Sequence, residues 1–177
     1  MMNLIKKMLV AGCIAAAICG CKKDTPAPDD YLSYKVDGVY KSVKPDADFI
    51  DGDLLIDGGK IGGEDLSIFV DDYPGPGRYN LTDSTYTLLS YHRGTGSHDV
   101  FYAVQGTLVI ASYDGKQISG TFEFKGSNGQ DFKTITEGKF KTKVDDLGYS
   151  SPADSINYIN VRRGQLLRHL KLMKAGS

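Results

Sequence analysis

From Gly106 the chain reads G-T-L-V-I-A-S-Y-D-G-K-Q-I-S-G-T-F-E-F to Phe124, and after a polar loop I-T-E-G-K-F-K-T-K-V from Ile135 to Val144. Three consecutive antiparallel strands fit this text. The first covers Thr107–Tyr113. Asp114-Gly115 supplies a two-residue hairpin turn, because positive φ suits Asp or Asn followed by Gly. The second covers Gln117–Lys125, with Ile118, Gly120, Phe122 and Phe124 on one face and Ser119, Thr121, Glu123 and Lys125 on the other. Asn128-Gly129 marks the next turn. The third carries Phe140, Thr142 and Val144 against Lys139, Lys141 and Lys143. Period-two alternation places one face in a core and the other in water, so Phe122 and Phe124 are expected to point inward with Ile118.

The text upstream has the same character. Leu32–Val36, Asp37-Gly38 and Val39–Val43 read as a hairpin. Ala47–Ile50 and Leu54–Ile56 are short strands about Asp51-Gly52, and Leu66–Val70 follows Gly62-Gly63. Pro74-Gly75-Pro76-Gly77 must be a loop. Arg78–Thr82, Thr85–Tyr91 and Val100–Val104 complete the series. No segment before residue 150 has helical periodicity. Many short strands with regular turn signals predict an all-β fold, either an antiparallel β-sandwich or a partly open β-barrel.

The beginning of the chain is different. Lys6 and Lys7 precede an uncharged run from Met8 to Gly20. The run is too short to span a membrane, which takes about 20 apolar residues, and has the length and flank of a signal peptide. Ile18-Cys19-Gly20-Cys21 resembles the lipobox of bacterial lipoproteins, in which the Cys is lipidated and becomes the first mature residue. Val10-Ala11-Gly12-Cys13 is a rival, but leaves only Met8–Gly12 between Lys7 and the cut. Processing at Cys21 removes Cys13 and Cys19 and commits the last thiol to lipid. The mature domain then has no disulfide, and burial must hold it. The 116 residues from Tyr31 to Asp146 are enough for one core.

Lys22–Asp30 mixes charge with alternating Pro, a composition for an extended tether reaching about 28 Å. Lys22-Lys23-Asp24 resembles the export signal of surface-displayed Bacteroidota lipoproteins, with one acid where that signal usually has two or more. Lys35–Gly38 (K-V-D-G), Gly77–Leu81 (G-R-Y-N-L) and the Gly106–Phe124 and Ile135–Phe140 runs resemble an uncharacterised group of Bacteroidota lipoproteins, known only as a domain of unknown function. The resemblance covers about Tyr31–Val144. It implies a small antiparallel β domain on a lipid anchor and brings no catalytic residues. The expected organisation is a signal peptide over 1–20, lipidated Cys21 and linker over 21–30, a β-domain over 31–146, and a helical or disordered tail over 147–177.

Three groups of side chains have chemistry to offer. Asp46, Asp48, Asp51 and Asp53 could give oxygens to a hard cation. Their spacing misses an EF-hand loop, and turn formation or solubilising charge explains them as well. His92, His98 and Asp99 could meet across a hairpin as zinc ligands. Ser97-His98-Asp99 are neighbours in sequence, whereas a catalytic triad converges in space. Tyr79, Tyr86, Tyr91, Tyr102 and Tyr113 could stack on sugars, although Tyr also suits half-buried strands and the chain has no Trp.

Residues 21–146 hold 14 basic and 21 acidic side chains, net −7. That charge argues against nucleic acid as a partner. The tail from Leu147 has five basic residues (Arg162, Arg163, Arg168, Lys171, Lys174) against Asp154, net +4, with Ile156, Ile159, Leu166, Leu170 and Met173 near one stripe. It reads as an appendage, or as a basic amphipathic element for an anionic membrane or an acidic partner. As an appendage, it can be removed after Asp146 without changing the melting of the domain.

These readings converge on an exported, lipid-anchored, non-catalytic β-domain at the outer membrane, on its cell-surface or periplasmic face, without a cofactor. Its expected partners are the membrane and a glycan, a small ligand or another envelope protein. The alternatives are a structural or adhesive envelope protein and a lipocalin-like carrier. Replacing Cys21 with Ser should leave an unprocessed precursor and abolish fatty-acid labelling. Labelling that survives Cys21→Ser but not Cys13→Ser would move the anchor to Cys13.

Overall fold

The structure, a computed structural model, describes residues 29–50, 52–60, 63–82, 86–96 and 98–146. The expectations for the signal peptide, Cys21, Asp51, Ser97 and the tail 147–177 lie outside the described residues. Eleven strands follow one another: β1 Tyr31–Val36, β2 Val39–Val43, β3 Pro45–Ile50, β4 Asp53–Gly59, β5 Asp65–Val70, β6 Gly77–Asn80, β7 Thr87–His92, β8 Val100–Tyr113, β9 Gln117–Ser127, β10 Phe132–Lys143 and β11 Asp145–Asp146. All belong to one sheet in the order β11-β3-β4-β5-β7-β8-β9-β10-β1-β2, with β6 beside β8. The pairs are antiparallel except β11 on β3, which is parallel.

The sheet is nearly closed into a barrel. β2 continues into β3 after Lys44, and β10 continues into β11 after Val144, so both ends of the order meet the same pair of bent strands. Side-chain distances show the curl directly. Tyr34 on β1 and Tyr91 on β7 are four places apart, about 19 Å if the sheet were flat, yet their ring centroids lie 6.5 Å apart. Likewise a Cβ on Gly58 of β4 would fall 2.1 Å from Leu32 of β1.

The inward faces fill the interior. Leu32, Leu54, Ile56, Leu66, Ile68, Leu89, Phe101, Leu108, Ile118 and Ile135 are all fully buried. Phe140, Phe122, Tyr34, Tyr91 and Phe101 form a continuous chain of rings with centroids 6.2–6.5 Å apart. The expected faces of β9 hold: Ile118, Gly120, Phe122 and Phe124 are buried, while Thr121, Glu123 and Lys125 are exposed. Phe140 and Thr142 are buried between exposed Lys139 and Lys143.

Two local features depart from the expected pattern. Val100–Val104 and Thr107–Tyr113 are one 14-residue strand, irregular in register at Ala103/Gln105 and Ile110/Ser112. Bulges bend a strand, and β8 pairs with β7 along its first part and with β6 along its second. The turn at Asp114 is also longer than two residues. Tyr113 pairs with Ile118, and Asp114 Oδ1 accepts the N–H groups of Lys116 at 2.9 Å and Gln117 at 2.8 Å. This Asx turn keeps Asp114 out of the left-handed region, with Gly115 alone there at φ 89°. Asn128 builds the same turn, accepting from Gln130 and Asp131. Asp37-Gly38 is the true two-residue case, with φ of 49° and 85° and Val36 paired to Val39.

The strands β4, β5 and β7 differ from β9 in kind. Leu54, Ile56, Ile68, Val70 and Leu89 face the interior, yet Leu55, Phe69 and Leu88 on the opposite face are also buried.

Candidate functional site

Each of the three groups picked out in the sequence has a definite place. Asp46 and Asp48 alternate with inward-facing Ala47 on β3, so both carboxylates stand on the outer face. The parallel pairing of β11 sets Asp145 beside Asp48. Oxygens of Asp46, Asp48 and Asp145 all lie within 4.8 Å of one another. Asp57 stands opposite Asp46 on β4, where its carboxylate accepts a hydrogen bond from Ser67. Asp53 belongs to the other end of the hairpin, and its Oδ1 accepts the Asp72 N–H at 2.9 Å.

The outcome is a half-buried carboxylate among like charges. Burial first, then Asp46, Asp145 and Asp57, push the Asp48 carboxyl up from the usual carboxylate range to about 6. Three converging carboxylates have the donor set for a hard cation such as Ca²⁺, whose neighbours would be oxygens at about 2.3–2.6 Å.

The histidine group is held in a tied loop. Arg93 donates to Asp99 Oδ1 through Nε at 3.0 Å and through an Nη at 2.7 Å, and the Gly96 N–H donates to Oδ2 at 3.0 Å. Those bonds hold the Asp99 carboxyl below its ordinary value, the Arg93 hydrogen bond being the first cause. Asp99 is therefore bound to the arginine. Ser90 Oγ lies 3.3 Å from His92 Nε2, and His98 is exposed, with its carbonyl accepting from Asn128. Among the described residues, the converging set of metal-ligand side chains is the aspartate trio.

The tyrosines divide. Tyr91 and Tyr102 are buried, and Tyr113 packs against Phe49 and Tyr73 at 5.1 and 6.1 Å. Tyr79 and Tyr86 come together at one groove of about 420 Å³, lined also by Asp71, Asp72, Pro74 and Asn80. Tyr86 is 64% exposed there. Tyr79 is half-buried and donates its hydroxyl to the Gly75 carbonyl, so the Pro-Gly loop is anchored to the groove wall. The Asp71 N–H donates to the Tyr86 carbonyl at 2.7 Å and fixes the two sides to each other. The groove thus joins an exposed ring face to carboxylates and an amide on a tied frame.

Sequence reasoning did not find Asp145 as a member of the aspartate trio. It lies far from Asp48 along the chain, and a two-residue parallel pairing has no periodicity to betray it. Asp48 gives a test with a defined sign. An acid whose folded pKa is raised holds a proton that the unfolded chain releases, so stability falls as pH rises from about 4 to about 6, and the full cost is present at pH 7. Asp48→Asn should therefore raise the melting temperature at pH 7 by about 4 °C, from about 1 kcal/mol after solvent screening. At pH 4 it should have little effect. Equal gains at both pH values in thermal melts would show that charge burial is not the cause.

Comparison with known proteins adds one finding. No curated protein and no solved structure matches the chain. Residues 33–143, which run from β1 to the end of β10, match a family model described as a domain of unknown function, DUF6252, and the chain belongs to that family.

Proposed function

We propose that this protein is an exported, lipid-anchored binding module of the cell envelope, which presents the Tyr86 groove to a carbohydrate. The groove carries the reading. Sugars are bound by an apolar ring face together with a few fixed polar groups, and Tyr86, Asp71, Asp72 and Asn80 supply both in one concave site. The reading is of a binding protein rather than an enzyme. Anchorage rests on the apolar run and Ile18-Cys19-Gly20-Cys21, and the resemblance to Bacteroidota lipoproteins supports an outer-membrane location. The ring-filled interior supports a ligand site on the surface in preference to the internal cavity of a lipocalin-like carrier.

A second reading has its own support. β2 pairs with β1 and ends the strand order, with Val39 61% and Tyr40 64% exposed. An open edge with apolar side chains suits a structural or adhesive protein that adds a partner's strand.

A glycan array on the chain from Lys22 to Ser177 separates the two. The groove reading expects a bound glycan whose affinity falls at least about tenfold in Tyr86→Ala, about 1.4 kcal/mol, and is unchanged in Tyr40→Ala. An array without binding, or binding indifferent to Tyr86→Ala, would contradict it.

A further inference from the structure

Leu55, Phe69 and Leu88 form one cross-strand row on β4, β5 and β7. They stand on the outer face, opposite the core, at 5%, 6% and 4% exposure. In the next row Ser67, Ser90 and Tyr102 are also buried. A side chain on the open face of a single sheet keeps much of its surface in water, so burial to this depth needs a second layer. Among the described residues all eleven strands belong to the one sheet, and none of them can be that layer.

We propose that the segment from Leu147 to Ser177 docks on the outer face of β4, β5 and β7 and forms the second layer of the fold. Its starting point fits. Asp146 pairs with Phe49 on β3, and Asp48 on the same strand pairs with Leu55 on β4. The segment therefore begins about two strand spacings, some 10 Å, from the apolar row. Its length fits as well. Four adjacent strands are about 14 Å across, and 31 residues extend about 46 Å even as a helix.

Composition and charge agree. Ile156, Ile159, Leu166, Leu170 and Met173 offer an apolar stripe to the row. Asp46, Asp48, Asp57, Asp65 and Asp145 border the face, and the segment is net +4. The family match stops at residue 143, so the segment lies outside the matched region. On this proposal the tail is not the dispensable appendage expected from the sequence.

The test is to insert a protease site after Asp146 in the chain from Lys22 to Ser177 and nick the folded protein. The fragment should stay with the domain, one to one, through gel filtration at low salt. It should separate when Phe69 is replaced with Lys, and stay when Thr121, on the solvated outer face of β9, is replaced with Lys. Circular dichroism of each nicked protein reports whether the sheet is intact. Separation of the fragment from the unsubstituted, still-folded domain would overturn the proposal. Retention in Phe69→Lys would also overturn it, and so would a dimer that buries the face after the fragment has left.

Discussion

Three phenylalanine rings can lie inside this sheet because three glycines face them across the strand pairs. Phe122 pairs with Gly138, Phe140 with Gly120 and Phe124 with Gly106. A Cβ on Gly138 would fall 2.5 Å from the Phe122 ring, and one on Gly120 the same distance from the Phe140 ring. At Gly106 the backbone itself makes the demand: φ is 147°, and a Cβ would meet the Glu123 carbonyl at 2.2 Å. A ring laid over a neighbouring glycine fills the space its missing side chain leaves. It also brings the strands into tight curvature, and the rest of the barrel follows from that curl. Tyr34 and Tyr91 meet across the interior because the sheet between them is bent, and their contact continues the chain of rings to Phe101.

A filled interior moves any recognition to the outside. There the surface is uneven. On β9 and β10 the outer face is solvated and rich in Lys and Thr. On β4, β5 and β7 it is apolar and buried. Between them lie an acidic corner at Asp46, Asp48 and Asp145 and the tyrosine groove beside the Pro-Gly loop. The acidic corner exists because β11 pairs with β3, so the same pairing that helps to curl the sheet toward closure crowds three carboxylates. Its cost is the raised pKa of Asp48.

How much of this the sequence revealed depends on the range of the interaction. Alternation exposed β9 and the end of β10, since one face is dry and the other wet. Asp37-Gly38 revealed its hairpin because two residues with positive φ need those side chains. The Asp114 turn was misjudged because an Asx turn uses the same dipeptide with different hydrogen bonds. The bulge at Thr136-Glu137 was hidden because a single extra residue leaves the composition unchanged, although Glu137 lies at φ 54° and pairs with Lys35. D-L-L-I-D at Asp53–Asp57 and L-S-I-F-V at Leu66–Val70 had a further signal: near-continuous apolar runs belong to strands buried on both faces. Of the candidate side chains, Tyr79 and Tyr86 were visible as residues but their groove was not, because it depends on how β6 and β7 sit around the loop.

The account rests on the interior being a packed core rather than a ligand chamber, and melting of two neighbouring variants tests that most directly. Phe122 is 3% exposed inside the barrel, and Thr121 is exposed on the outside. In a packed core, Phe122→Ala removes transfer energy and leaves a cavity, costing about 3–5 kcal/mol. Thr121→Ala should stay within about 0.5 kcal/mol of the unsubstituted protein. A chamber that normally admits a ligand would tolerate the missing ring, so equal stability of the two variants would contradict the account.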